Sequence, residues 1–302
     1  MNFLKKKIDK INILYHKKFF LIKSKKISSL LKKLSKSEKI QIYDIGAGLR
    51  YLPTLLKFDG ISRIHLIDPS HNLQIAYRNL KKLFSDKNSI KKYNLGISDK
   101  NEKIYYYPAK VSSGSSFLNF NKKKNHIQYD ANYFGSEKPI LMKVYDFNYF
   151  LKFNRLKKAD IVKIDVEGLE FSILKSILKK NKPLIIEVEV NFDNSIIGDT
   201  FTKVNTLLKN NNYKLNTICP TYQEVDKGTF LKGDYHNPLS RNPLNQSDLY
   251  YILKKKEYIL KDLIMMIGYG FIIDAKKEFS KIIKKLSSKN IETLKMLIRI
   301  LE

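Results

Sequence analysis

The chain is poor in cysteine, in arginine and in long apolar runs. Its single cysteine, Cys219, among 302 residues excludes an internal disulfide and a thiolate zinc cluster, and suits a reducing compartment. The longest apolar run, Leu263 to Ile273, lies between Asp262 and Asp274 and contains Gly268 and Gly270. It is well short of the ~18 to 20 residues that span a bilayer, so a buried helix is expected there. His16, Lys17 and Lys18 interrupt any apolar stretch behind the first lysines, and no small-residue cleavage site follows, so a cytoplasmic location is expected. Arginine supplies only 6 of the 57 basic residues; with 29 acidic residues the formal charge is +28. Such a charge ordinarily points to a polyanionic partner. Lysine, however, lacks the planar fork with which arginine reads bases and phosphates, and Lys, Asn and Ile are abundant throughout, so nucleic acid is not the expected partner.

The charge is concentrated at the N-terminus, where the first 40 positions hold thirteen lysines against Asp9 and Glu38. Leu4, Ile8, Ile11, Tyr15, Phe19 and Ile22, then Ile27, Leu30, Leu31 and Leu34, fall at helical spacing. Such a basic amphipathic helix packs its apolar stripe on the rest of the chain or lies on an anionic bilayer, where each cation near the surface gains about 1 kcal/mol. Docking is the expected outcome, with peripheral contact at the inner face of the membrane as a second role. The expected division is a helical extension over 1–38, a catalytic domain over 39–255 and a C-terminal helical extension over 256–302, where Ile291, Leu294, Ile298 and Leu301 share a stripe.

The most telling segment is Ile42-Tyr43-Asp44-Ile45-Gly46-Ala47-Gly48, followed by Ile64-His65-Leu66-Ile67-Asp68. It reads as a buried strand, a glycine turn, a helix and a second strand ending in an acid. Glycines let backbone approach a ligand without a Cβ in the way, and an acid at the second strand's end can accept from both ribose hydroxyls. The turn lacks the third glycine of a dinucleotide site: Tyr51 stands there, and Pro53 follows. S-adenosylmethionine has no pyrophosphate and carries a sulfonium cation, so an acid such as Asp44 is better tolerated beside it. A methyl donor is the expected cofactor.

A second cluster, Ala159-Asp160-Ile161-Val162-Lys163-Ile164-Asp165-Val166-Glu167-Gly168-Leu169-Glu170, is an apolar strand that delivers Asp165 and Glu167 where its carboxyl end meets the cleft. The following strand, Leu184 to Val190, carries Glu187 and Glu189 on one face by its period of two. Carboxylates gathered at one edge need a ligand or a basic partner such as Lys163. Glu170 and Glu189 are equally readable as structural caps or ion-pair partners.

The series Tyr43-Asp44-Ile45-Gly46-Ala47, Asp68-Pro69, Gly96-Ile97-Ser98-Asp99, Ser113-Gly114-Ser115-Ser116-Phe117, Val144-Tyr145-Asp146-Phe147 and Val162-Lys163-Ile164-Asp165-Val166-Glu167-Gly168-Leu169-Glu170 resembles the FkbM-type S-adenosylmethionine-dependent methyltransferases in order and spacing. The resemblance covers about residues 40 to 255. It implies an α/β class I methyltransferase fold, Rossmann-like and doubly wound, with a mostly parallel sheet and an antiparallel final strand. It also implies methyl transfer to a hydroxyl oxygen, commonly on sugars or polyketide-type products. Carried over by position, Asp44, Gly46, Ala47 and Gly48 line the methionine side, Asp68 the ribose, and Gly96 and Ile97 the adenine. Arg50 replaces a frequent glycine of the family, and Asp68 a frequent glutamate.

Strands are expected near Ile40 to Ile45, Lys91 to Ile97, Tyr213 to Ile218 and Asp248 to Leu253, with helices near Leu73 to Phe84 and Phe201 to Asn210. A hairpin is expected around Lys103 to Tyr107. Pro108 to Lys138 and Pro220 to Gln246 read as long loops. The first holds Ser113, Ser115 and Ser116, which either touch the acceptor or form a turn. His126 and His236 read as solvated loop histidines. A sugar hydroxyl needs a base as it attacks the methyl. Asp165 is the first candidate for that catalytic role, followed by Glu167 and Glu187; a divalent ion held by these acids is an alternative route to the same activation. The expected function is O-methylation of a glycan or glycolipid precursor. An RNA methyltransferase and a non-catalytic cofactor-binding module are the alternatives; against the former, no N-P-P-Y-like or D-P-P-Y-like string follows the fourth strand.

Overall fold

A computed structural model describes residues 21–35, 38–47, 53–109, 115–118, 138–166, 168–192, 200–225, 229–232 and 244–301. Helix α1 (21–34) leads into β1 (Ile40–Ile45), α2 (Pro53–Leu56), β2 (Ser62–Ile67), α3 (Asn72–Leu83), β3 (Ile90–Tyr93), β4 (Gly96–Ser98) and β5 (Glu102–Tyr106). There follow β6 (Ile140–Asp146), α4 (Phe147–Phe153), β7 (Ile161–Ile164), α5 (Glu170–Leu178), β8 (Ile185–Asn191) and α6 (Thr200–Asn210). The chain ends with β9 (Tyr213–Val225), β10 (Thr229–Lys232), β11 (Leu244–Leu253), α7 (Leu260–Tyr269), α8 (Ile272–Ile282) and α9 (Ser288–Leu301).

Eight strands form the main sheet in the order β10-β9-β11-β8-β7-β1-β2-β3. From β3 to β8 the neighbours run parallel, and β11 enters antiparallel between β8 and β9. This is the expected doubly wound sheet with an antiparallel final strand. All six residues of β1 are buried, as expected of a central parallel strand covered on both faces. Successive strands step outward from β1 through β2 to β3, and the chain then returns to β1's other side with β7. That reversal opens a crevice at the carboxyl ends of β1 and β7, where open α/β sheets bind ligands.

The pleat divides the core in two. Ile40 and Ile42 face Ile27, Leu31 and Leu34 of α1, Leu73 and Leu80 of α3, Leu263 to Ile267 of α7, and Leu294 and Leu297 of α9. Tyr43, Ile45, Val162 and Ile164 face Phe147 and Phe150 of α4, Ile173 and Ile177 of α5, and Val204 of α6. The apolar stripe at 27–34 is therefore docked, and Ser28 Oγ donates to the Asp59 carbonyl at 2.9 Å. Residues 1–20, with the remaining lysines of the basic segment, lie outside the described residues. The apolar run at 263–269 is buried as a helix. Its Gly268 lies so close to Phe58 that a Cβ would fall 2.5 Å from the ring, which fixes the depth at which the neighbouring Tyr269 enters the core.

Three local expectations differ from the structure. The single strand expected at 91–97 is two strands in different sheets: β3 closes the main sheet, whereas β4 pairs with β6 in a three-stranded sheet ordered β4-β6-β5. Asn94 marks the break, its side-chain amide donating to the carbonyls of Asp68, Pro69 and Ser70. Locally the expected hairpin is reduced to an antiparallel bridge between Tyr107 and Ser116; β5 itself pairs antiparallel with the distant β6, with Tyr106 opposite Ile140, because alternation sets a face and leaves the partner open. Within the loop expected over Pro220 to Gln246, β9 runs on to Val225, β10 forms, and β11 begins at Leu244. The Thr, Tyr and Phe residues there suit an outer hairpin.

Candidate active site

Register across the sheet builds the site. Asp44 of β1 lies opposite Lys163 of β7, Lys163 opposite Glu187 of β8, and Glu187 opposite Tyr250 of β11. Four adjacent strands thus place one polar row on one face, at the carboxyl edge of the sheet. Lys163 Nζ sits 2.7 Å from Asp165 Oδ2 and 3.9 Å from Asp44 Oδ1. Burial alone would depress the lysine, but Asp165, Asp44 and Glu187 outweigh it and hold the ammonium above its usual range.

Burial raises Asp44 to about 6 against the pull of Lys163, with Asp165 and Asp68 adding to the rise. Its Oδ1 has no hydrogen-bond partner among the described residues. Burial likewise pushes Glu187 to about 7, opposed by Lys163 and by the bond from Tyr269. The Tyr269 hydroxyl donates to Glu187 Oε2, and that of Tyr250 lies 3.5 Å from Oε1. Asp165 is more exposed than its ion-pair neighbours, its side chain 22 % accessible against 8 % for Lys163 and 6 % for Asp44. Asp68 ends β2 half-buried; Ser70 holds it, the backbone N–H donating to Oδ1 at 2.6 Å. Burial raises its carboxyl, and Asp165 adds to the rise.

The structure brings together Asp44, Asp68 and Asp165. Gly46 has a structural role beside the ligand approach expected of it. At φ +84° its missing Cβ is replaced by the carbonyl oxygen of Asp165, which would lie 1.9 Å from that atom, so the glycine closes β1 onto the end of β7. The N–H groups of Gly46 and Ala47 both donate to the Ile67 carbonyl, at 2.9 and 3.2 Å, and the Ala47 side chain packs in the core. Gly96 and Ile97 are buried in β4; the space a Cβ would need at Gly96 is filled by Phe117 and Val144. Glu187 lies beneath its tyrosines, 4 % exposed. Glu189 is one pleat further along β8, in register with Asp248. Glu170 opens α5, its Oε1 accepting from the Gly168 N–H at 2.9 Å.

The described serines act locally: Ser115 Oγ accepts from the Ala109 N–H and Ser116 Oγ from the Leu118 N–H, each at 2.9 Å. Ser115 also bonds the buried Tyr106, which feels the charge of Asp68. Gly48, Arg50, Ser113, His126, Glu167 and His236 lie outside the described residues. Among the described residues no group of three or more acids, histidines or cysteines is arranged to hold a metal. Two members of the site were invisible to sequence reasoning. Tyr250 is found only once β8 and β11 are set in register, and Tyr269 lies within an apolar run that signals burial alone.

Strand order, an antiparallel final strand and acids at the carboxyl ends of β1, β2 and β7 define a class I methyltransferase. The chain belongs to the FkbM methyltransferase domain family, whose model matches residues 44–215; it is an S-adenosylmethionine-dependent methyltransferase. No curated protein matches it in sequence. Among solved structures it is similar to an FkbM methyltransferase from Methylobacillus flagellatus KT, at 15% identity and a TM-score of 0.40, covering 72% of this chain and 45% of that one. A precorrin-6y C5,15-methyltransferase from Geobacter metallireducens GS-15 is 13% identical over 76% of this chain and 87% of its own, with a TM-score of 0.38. The magnesium protoporphyrin IX methyltransferase of Synechocystis PCC 6803 with bound SAM is 8% identical, at 0.37, over 76% and 79%. Among the described residues no helix is long and apolar enough to cross a membrane.

The residues present fit the methyl donor. Asp44 is a buried acid at the crevice edge whose Oδ1 has no hydrogen-bond partner among the described residues, Lys163 standing 3.9 Å away, and a neighbouring sulfonium or ammonium cation would supply further compensation for its burial.

Proposed function

We propose that this protein methylates a hydroxyl oxygen on a sugar of a glycan or glycolipid precursor, with Asp165 as the base. When bound, the donor supplies an electrophilic methyl on a good leaving group. The chain's residues then have two tasks, to align an acceptor oxygen with that carbon and to take its proton. Asp44 and its neighbours in the turn, Gly46, Ala47 and Gly48, flank the donor's methionine end; Asp68 holds the ribose, and the β4 segment at Gly96 and Ile97 borders the adenine. Asp165 receives the proton, with Glu167 beside it in sequence.

One observation carries the choice of base. Of the acids around Lys163, Asp165 has its carboxylate partly open to solvent, whereas Asp44 and Glu187 are buried. Lys163 orients it at 2.7 Å. The lysine-rich N-terminal segment suits an anionic lipid surface carrying a lipid-linked acceptor.

The test is methyl transfer from labelled S-adenosylmethionine to a panel of oligosaccharides and lipid-linked sugars, followed by acid hydrolysis and identification of the labelled monosaccharide. An O-methyl sugar is expected. Asp165→Asn should retain donor binding and lose transfer by about 100-fold or more. Label found only in RNA or on nitrogen would overturn the reading.

A further inference from the structure

The polar row of the site ends on two hydroxyls from outside the family-matched residues 44–215, Tyr250 of β11 and Tyr269 of α7. Both meet the carboxyl group of Glu187. Glu187 is also faced by Lys163 from β7 and feels Asp248 of β11 and, across Lys163, Asp44 of β1. Hydrogen bonds donated to a carboxylate favour its charged form against the burial that opposes it. With Glu187 ionised, the Lys163 ammonium is shared by three carboxylates, Asp44, Asp165 and Glu187, and among the described residues this row is net negative.

That sign matters for a methyl donor. S-adenosylmethionine carries a sulfonium and an ammonium against one carboxylate and is a net cation; the demethylated product has a neutral sulfur and is a net zwitterion. A negative row attracts the first more than the second, favouring exchange of product for fresh donor. We propose that Tyr269 is a positioning residue that sets this preference: by donating to Glu187 it keeps the row anionic, and so makes the C-terminal helices part of the donor site. The proposal rests on placing the donor at the carboxyl edge of β1 and β7. Gly268 supports it independently, since the close contact with Phe58 fixes α7 at the depth that brings Tyr269 to Glu187.

The experiment is calorimetric titration of S-adenosylmethionine and of S-adenosylhomocysteine into the full chain, its Tyr269→Phe variant and its Glu187→Gln variant, between about pH 6 and 8. In the wild-type chain, affinity for the donor relative to the product should rise with pH as Glu187 ionises. Tyr269→Phe should weaken the donor about fivefold at pH 7, leave the product within about twofold, and shift the rise to higher pH. Glu187→Gln, which keeps the shape of the acid, should give the same selective loss and flatten the rise around pH 7, leaving the lower part contributed by Asp44, and serves if Tyr269→Phe fails to fold. An equal loss for both ligands, or an unchanged ratio, would overturn the assignment. Failure of the wild-type chain to bind either ligand would overturn the donor site itself, a distinct result.

Discussion

The carbonyl oxygen of Asp165 lies 1.9 Å from the position a Cβ would take on Gly46, which holds φ +84°. The turn after β1 and the end of β7 are thus one joint, locked by the absence of a side chain. Gly46→Ala must both adopt a left-handed backbone and push the carbonyl aside. It is expected to destabilise the chain by about 3 kcal/mol or more, measured as a fall in the urea midpoint at unchanged slope, and to weaken donor binding with it.

Lys163 is the hub of the buried charges. Lys163→Met removes the cation between Asp44, Asp165 and Glu187 and leaves buried acids unpaired, a change that costs about 3–5 kcal/mol in comparable networks. The loss should be larger at pH 8 than at pH 5, because protonation relieves the stranded carboxylates. Thermal unfolding at the two pH values reads it.

Glu170 tests the electrostatics away from the donor. Burial raises its carboxyl from 4.5 to about 8, opposed by bonds from the Gly168 and Glu170 N–H groups, and its Oε2 has no partner among the described residues. A raised folded value means that folding favours the protonated acid. This stabilisation is complete below pH 4.5, fades as the unfolded chain ionises, and is gone above about pH 8. Glu170→Gln mimics the neutral acid at every pH. The wild-type chain should therefore lose stability relative to this variant between pH 4.5 and 8, seen as diverging urea midpoints; parallel curves would show that Glu170 is already ionised.

The sheet and the acids at its edge were legible because both are written locally. Apolar segments with Asp44, Asp68 and Asp165 at or next to their ends mark where strands stop, and the carboxyl end of a parallel strand is where chemistry gathers. The pairing of β5 with β6 was not legible, since Lys103 to Tyr107 carries a face and no record of its partner. Nor was the role of Gly46, which depends on a carbonyl more than a hundred residues away. The same holds for Tyr250 and Tyr269, which reach Glu187 only through strand register and the seating of α7 on Phe58.

Asp44, buried with an oxygen that lacks a hydrogen-bond partner among the described residues, is completed by a cationic methyl donor if the donor site lies at the carboxyl edge of β1. Calorimetric titration of S-adenosylmethionine into the wild-type chain and Asp44→Asn tests it most directly. Binding to the wild-type chain, weakened at least about tenfold in a variant that folds with equal or greater stability at pH 8, is the predicted result. Equal affinity in the two proteins would contradict it.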